Sequence, residues 1–431
     1  MAPPKKPAEP AKPVELSEPD IDRCIQTYVA DKTFSAAACV ASVGGRVFHR
    51  AVYGQPVPPP PHKKTQFETL FDLASLTKPL ATGLAALVLS SRGRLDLGAS
   101  LTTTLPELKD KRFAPVTVDM LLDHTAGFPA TRPYFEDLRA RDKKAAPGVE
   151  KVTGTRKAMP LLRKMVAETR FDHDPGSKTV YSDIGFMVLG WIIENVVQQP
   201  LDQWLEREIY RPLGIDKELF FVRHDDPKRV KDLRLRSFAV TEQCPWREKL
   251  LLGEVHDPNA WAVGGVAGHA GLFGTIDAVW KLMHALWQSY QGDNRHFLGG
   301  AVRRFWTRSK RLKDTTRALA WDTPSVHGSM AGKRFSLNTV GHLGFTGCSI
   351  WLDLSSDVMG IVLANSAYPT PEGKQDAMAK FRPRLYELIA KAGESLPPEK
   401  AKPTGGYGPI GGYGGYGTSL PIGNPLRKPS A

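Results

Sequence analysis

Strand-like alternation stands near both ends of this chain, and helical periodicity fills the space between. An early hairpin reads across 38–54: Cys39 to Val43, a Gly44-Gly45 turn, then Arg46 to Arg50. Alternation returns late, at Ser349 to Asp353 and Val358 to Leu363. Between these lie an apolar helical stretch, Pro79 to Leu89, and segments 161–168, 184–197 and 201–209 with i, i+3, i+4 apolar spacing. A closing helix is expected at about 384–392. The two ends therefore share one sheet, and the helical middle is an insertion packed against it. The expected class is α/β (α+β), with an inserted all-helical subdomain at about 79–265 and a cleft between the two parts. The long loops 129–158 and 222–262 are placed to wall such a cleft.

The ordered body is expected to span 17–393. Residues 1–16 are Pro, Ala and Lys with little else, and 394–431 are rich in Gly, Tyr and Pro; neither can bury a core. Ser17-Glu18-Pro19-Asp20 reads as a helix start capped by Ser17. The chain has 431 residues, 41% of them hydrophobic and 24% charged, which excludes a disordered or fibrous body. Its apolar runs are too short for a membrane span. The start lacks an apolar signal core, so the cytoplasm is the default expectation. Cys24, Cys39, Cys244 and Cys348 follow no metal-ligand spacing. The net charge of +13 lies mostly on the body, in runs such as 139–144, 156–164 and 303–313. No aromatic residues alternate with these basic ones, so solvated surface rather than a specific nucleic-acid site is expected.

Three segments carry chemistry. Phe71-Asp-Leu-Ala-Ser75-Leu-Thr-Lys78-Pro79 places Ser-x-x-Lys at a helix opening. An i, i+3 pair shares a face, so the Lys78 amine can reach the Ser75 hydroxyl. A serine needs a neighbouring base to attack a carbonyl, and a lysine partly buried at a positive helix N-terminus can lose its proton near neutral pH. Alone the motif is weak, because a helix cap followed by a surface lysine reads the same. Thr179-Val-Tyr181-Ser-Asp183 precedes a strongly apolar helix. Tyr181 suits a proton relay, and Asp183 suits orienting Lys78 or accepting a substrate N–H. As a purely structural pair, Asp183 would cap the helix and Tyr181 would pack as a hydrophobe. Gly341-His342-Leu-Gly344-Phe345-Thr-Gly347 leads into a strand, where glycines allow close approach of a ligand. His342 would supply a donor, or a charge below its ordinary pKa.

Taken in order, Ser-x-x-Lys, Tyr-x-Asp and His-x-Gly resemble the serine β-lactamase and penicillin-binding protein superfamily. The chain is most similar to its class C β-lactamase, D-aminopeptidase and esterase branch, over about 20–392. Leu121-Leu-Asp-His124-Thr-Ala-Gly127 and Gly264-Gly-Val-Ala-Gly-His269-Ala-Gly-Leu-Phe273 resemble two further family segments, in which His124 and His269 are expected to be architectural. His256 and Asp257 lie just before the second.

The resemblance implies an antiparallel sheet flanked by helices. It implies Ser75 as nucleophile, with Lys78 and Tyr181 handling the proton. The backbone N–H groups of Ser75 and Phe345 would hold the oxyanion. Asp183, His342 and Gly344 would line the substrate. The implied partner is a small-molecule acyl substrate, with no metal and no cofactor; the oligomeric state is left open. Two departures matter. Asp183 stands where the family usually has Asn, and His342 where lactamases and carboxypeptidases have Lys. Both point toward small esters or amides. The alternatives are a penicillin-binding D,D-carboxypeptidase or β-lactamase, and a non-catalytic binding relative. Cys348 reads as a buried strand residue.

Overall fold

The computed structural model describes residues 16–57, 64–105, 107–226 and 236–396. Both expected tails lie almost wholly outside these residues. A five-stranded antiparallel sheet is built from β1 (Ala36–Val43), β2 (Arg46–Gly54), β8 (Thr339–Leu343), β9 (Ser349–Asp353) and β10 (Val358–Ala364). Its order is β2-β1-β10-β9-β8. The two ends of the chain thus share one sheet, with Cys39 opposite Val362 at the centre. The hairpin turn uses left-handed φ at Gly44 and Gly45, 55° and 80°, a conformation that suits the strand twist.

Side-chain alternation divides the core. Ala37, Cys39 and Ala41 of β1 and Val358, Val362 and Ala364 of β10 face one layer, with Ile21, Phe381, Leu385 and Ile389. Ala36, Ala38 and Val40, with Met359, Ile361 and Leu363, face the other layer, against Leu282 and Met283. The period of two therefore buries both faces. The first layer comprises the helices Pro19–Ala30 and Gln375–Glu394. The second includes the helix Ile276–Tyr290, capped by Thr275 on the Ala278 N–H at 3.2 Å.

Two helix boundaries differ from expectation. The first helix has Glu18, not Ser17, at its cap position, with Pro19 at its first turn. The last helix begins at Gln375 and runs through Pro383. Pro383 costs a backbone hydrogen bond, but Met378, Phe381, Leu385, Tyr386 and Ile389 form one buried face that spans it, and that burial outweighs the local penalty.

The inserted segment is mostly helical. Its centre is the helix Asp183–Val197, apolar nearly all round and buried accordingly. Short strands β4 (Leu219–Phe221), β5 (Gln243–Cys244) and β6 (Lys249–Leu250) join those helices. β4 pairs with β7 (Leu272–Gly274), which in turn pairs with β3 (Phe71–Asp72), in a small three-stranded sheet. The two loops read as cleft walls carry elements of their own, the helices Tyr134–Lys144 and Pro258–Ala262. They also pack on one another. Asn259 accepts from the Phe135 N–H at 3.0 Å, and the Phe135 and Trp246 rings lie 5.1 Å apart.

Candidate active site

β3 ends at Asp72, and the chain turns sharply into the segment that carries Ser75. Ala74 adopts φ of 46°, a left-handed conformation that costs an alanine about 1 kcal/mol. The buried Asp72 carboxylate holds this turn, accepting from the Ala74 N–H at 2.8 Å and the His256 N–H at 2.7 Å. Within 71–80, Ser75 alone is not buried. Lys78 then opens a π-helical turn, Lys78–Gly83, and is fully buried. Widened turns of this kind are frequent at functional sites.

Lys78 Nζ has several partners, Tyr181 among them. It donates to Ser75 Oγ at 3.2 Å and to the His269 carbonyl at 3.2 Å, and it pairs with Asp183 Oδ1 at 2.7 Å. Burial by itself pushes the amine down. The Asp183 carboxylate and Tyr181 push it up, and the net direction is upward. Lys78 is therefore an ammonium at neutral pH. The proton loss that burial and the helix N-terminus would favour is thus opposed by the counter-charge.

Asp183 does not cap its helix. Ser182 does, accepting from the Gly185 N–H at 3.1 Å, which leaves Asp183 at the first helical position with its carboxylate free for Lys78. Tyr181 is half-buried beside the same amine, with Lys78 Nζ 4.8 Å from its ring centre. The His124 ring lies 4.6 Å from the Tyr181 ring, and His124 Nδ1 accepts from the Ser182 N–H at 3.0 Å. Burial, then the Arg317 and Lys78 cations, push His124 well below its ordinary value. It is a neutral brace under the Tyr181–Asp183 turn.

The turn after β8 is fastened to the nucleophile segment. Thr346 Oγ1 donates to the Asp72 carbonyl at 2.7 Å, and buried Arg382 donates to the Gly344 carbonyl at 2.9 Å. A Cβ at Gly344 would come within 2.8 Å of the Leu73 carbonyl oxygen, so a side chain here would drive the two segments apart. Gly347 has φ of 110°, which closes the turn. Neither the Ser75 nor the Phe345 backbone N–H has an acceptor among the described residues. The Phe345 side chain is 47% exposed and packs against the His256 ring at 5.3 Å.

His342 spends its donor on its own backbone. Its Nδ1–H donates to the Leu343 carbonyl at 2.8 Å, so Nε2 is the lone-pair nitrogen of the neutral ring; Nε2 has no partner among the described residues. Burial, with the Lys78 and Arg317 cations, lowers its pKa to about 3. It presents no charge at neutral pH, and its ring is 6.0 Å from that of Tyr181. Cys348 is buried immediately before β9, and burial raises its thiol to about 11.

Sequence reasoning missed Arg317. Its guanidinium lies 5.1 Å from the Tyr181 ring centre and pairs with Asp322 at 3.3 Å. Only the basic composition of the stretch preceding it gave any signal. His269 matters through its carbonyl on Lys78, a role no side-chain pattern reveals. Its ring bonds Asp257 at 2.8 Å. Burial works against the Asp257 charge, but the His269 ring and the Ala260 N–H outweigh it and hold the carboxyl low. Among the described residues, no cluster of three or more His, Cys, Asp or Glu side chains is placed to hold a metal ion. No helix among them is long and apolar enough to cross a membrane.

This fold and this arrangement are those of the serine β-lactamase and penicillin-binding protein superfamily. Comparison with known proteins agrees: residues 21–382 match the Beta-lactamase family model, and the chain belongs to that family. A relative from Escherichia coli K12, named "Putative D-alanyl-D-alanine carboxypeptidase", is 33% identical over 318 residues, 70% of each chain. Among solved structures, EstCE1, a hydrolase with promiscuous acyltransferase activity, aligns with a TM-score of 0.65 at 19% identity. That alignment covers 86% of this chain and 97% of EstCE1. A class C β-lactamase aligns with a TM-score of 0.62 at 16% identity, covering 85% of this chain and 96% of that one. At these identities the solved structures establish the fold.

Proposed function

We propose that this protein hydrolyses small esters or amides through an acyl-enzyme on Ser75. The observation that carries the reading is the chain Ser75 Oγ, Lys78 Nζ, Asp183 Oδ1, at 3.2 and 2.7 Å, together with the Ser75 and Phe345 N–H groups, which have no acceptor among the described residues. Ser75 Oγ attacks the substrate carbonyl carbon as its proton passes to the Tyr181 oxygen, which acts in this step as the phenolate that a phenol beside an ammonium can become, so that Tyr181 is then the neutral phenol. The Lys78 ammonium and the Arg317 guanidinium flank the Tyr181 ring and offset the negative charge involved. The Ser75 and Phe345 N–H groups receive the tetrahedral oxyanion. On collapse the bond to the leaving group breaks, and the alcohol or amine departs with the proton from Tyr181. Water repeats the sequence to release the acid and restore Ser75. Asp183 keeps Lys78 charged throughout.

His342 bears on the substrate. A neutral ring bonded to its own chain supplies no cation for a carboxylate at that position, which supports esters and simple amides. The curated relatives' name favours a second reading, a D,D-carboxypeptidase, in which Arg317 would be the cation that meets a substrate carboxylate.

A stopped-flow assay with p-nitrophenyl acetate tests the first reading. A burst of nitrophenol near one equivalent, abolished in Ser75→Ala, is expected. Equal slow release from both proteins would refute it. A fluorescent penicillin tests the second, which requires a covalent label that Ser75→Ala loses.

A further inference from the structure

The basic run 303–313 has no part in the hydrolytic site. In the structure Arg304, Arg308, Lys310 and Arg311 of this run line an open cavity of about 530 Å³, together with Asp119 and Asp123. Arg311 consumes both carboxylates, pairing with Asp119 at 2.7 Å and Asp123 at 3.2 Å. Asp123 is otherwise occupied by the hydroxyls of Thr125 and Ser309. Arg308 is held rigidly, but only by neutral acceptors: it donates to Thr323 Oγ1 at 2.7 Å and the Pro324 carbonyl at 2.6 Å. Arg304 and Lys310 line the same cavity, and neither makes an ion pair or a side-chain hydrogen bond among the described residues. Three cations thus border one open depression with no counter-charge of their own. Like charges gathered in this way repel, and an anion between them removes the repulsion.

We propose that this cavity binds a small phosphate-bearing molecule of diphosphate size or larger. Two guanidinium groups offer planar paired donors, and the lysine adds a point charge, a combination suited to phosphate oxygens. The volume exceeds what a single inorganic phosphate fills and suits linked phosphates or a nucleoside polyphosphate. The cavity lining carries no aromatic ring on which a base could stack, which sets it apart from a polynucleotide surface. This inference is independent of the chemistry proposed at Ser75.

Calorimetric titration of the full chain with inorganic pyrophosphate provides the test, for the wild type and for Arg304→Ser/Lys310→Ser. Both residues are exposed and hold nothing else in place, so the unliganded variant should melt at the wild-type temperature. Saturable one-to-one binding is expected, weakening as salt rises and about tenfold or more weaker in the variant. Lys310→Ser alone should fall between the two. No saturable binding, or equal affinity in wild type and variant, would overturn the proposal. So would tight binding of a single-stranded oligonucleotide by a protein that ignores pyrophosphate.

Discussion

The ammonium of Lys78 lies 2.7 Å from the carboxylate of Asp183, inside a site where the lysine has no contact with water. This pair decides the protonation of the group next to the nucleophile. With it, Lys78 is raised above its ordinary value despite burial. A group raised in this way contributes stability that is complete below the ordinary lysine pKa. That contribution is lost only as pH climbs through the folded value, so the pair is intact at pH 7. Asp183→Asn removes the counter-charge and leaves Tyr181 alone to oppose burial. Chemical denaturation at pH 7 should show a loss of about 3 kcal/mol, the scale of a broken buried pair. The pH profile of acylation should gain a rising limb near pH 7–9 that the wild type lacks, as Lys78 becomes able to shed its proton.

Tyr181→Phe tests the proton path. The ring keeps its packing against His124, so the melting temperature should hardly move. Loss of the hydroxyl should lower kcat by about 10²–10³-fold with little change in KM. An equal rise in KM with kcat intact would assign Tyr181 to substrate binding instead.

Thr346→Val addresses the oxyanion turn. The substitution keeps the side-chain volume and deletes the bond to the Asp72 carbonyl that ties Phe345 to the Ser75 segment. A cost of about 1 kcal/mol in stability is expected from one lost buried hydrogen bond. Activity should fall about tenfold or more, because a displaced N–H no longer meets the oxyanion. A loss of stability without loss of kcat would separate this turn from catalysis.

Acid should destabilise the fold through its buried neutral histidines. Burial lowers His49 and His284 to about 4, and burial with the Lys78 and Arg317 cations lowers His342 to about 3. Between those values and about 6.5 the unfolded chain binds protons that the folded chain does not. Their contribution is therefore complete above about pH 6.5 and is lost as pH falls toward 4. Melting curves across that range should show a steady decline, and His284→Gln should flatten part of it.

Much of the site was legible as sequence because its side chains come from short segments with fixed local geometry. Ser75 and Lys78 share one turn, and Tyr181 and Asp183 share another, so spacing alone suggested that each pair acts together. The sheet was legible for a similar reason, since alternation in β1 and β10 reports two buried faces. What escaped depends on partners distant in sequence. The charge of Lys78 is set by Asp183, and burial without that partner predicts the wrong sign. Arg317 reaches Tyr181 through a fold contact no spacing encodes. The His269 contribution comes from a backbone carbonyl, which every residue possesses. The last helix was read short because Pro383 is a local signal, whereas the apolar face that carries the helix past it is a tertiary one.

The central claim is a covalent acyl group on Ser75, and peptide mapping by mass spectrometry tests it most directly. The protein would be acid-quenched during turnover of p-nitrophenyl acetate and digested. The account predicts one acetyl group on the peptide containing Ser75, absent after Ser75→Ala and accumulating within the burst. Turnover with that peptide unmodified, or an acetyl group that persists in Ser75→Ala, would contradict it.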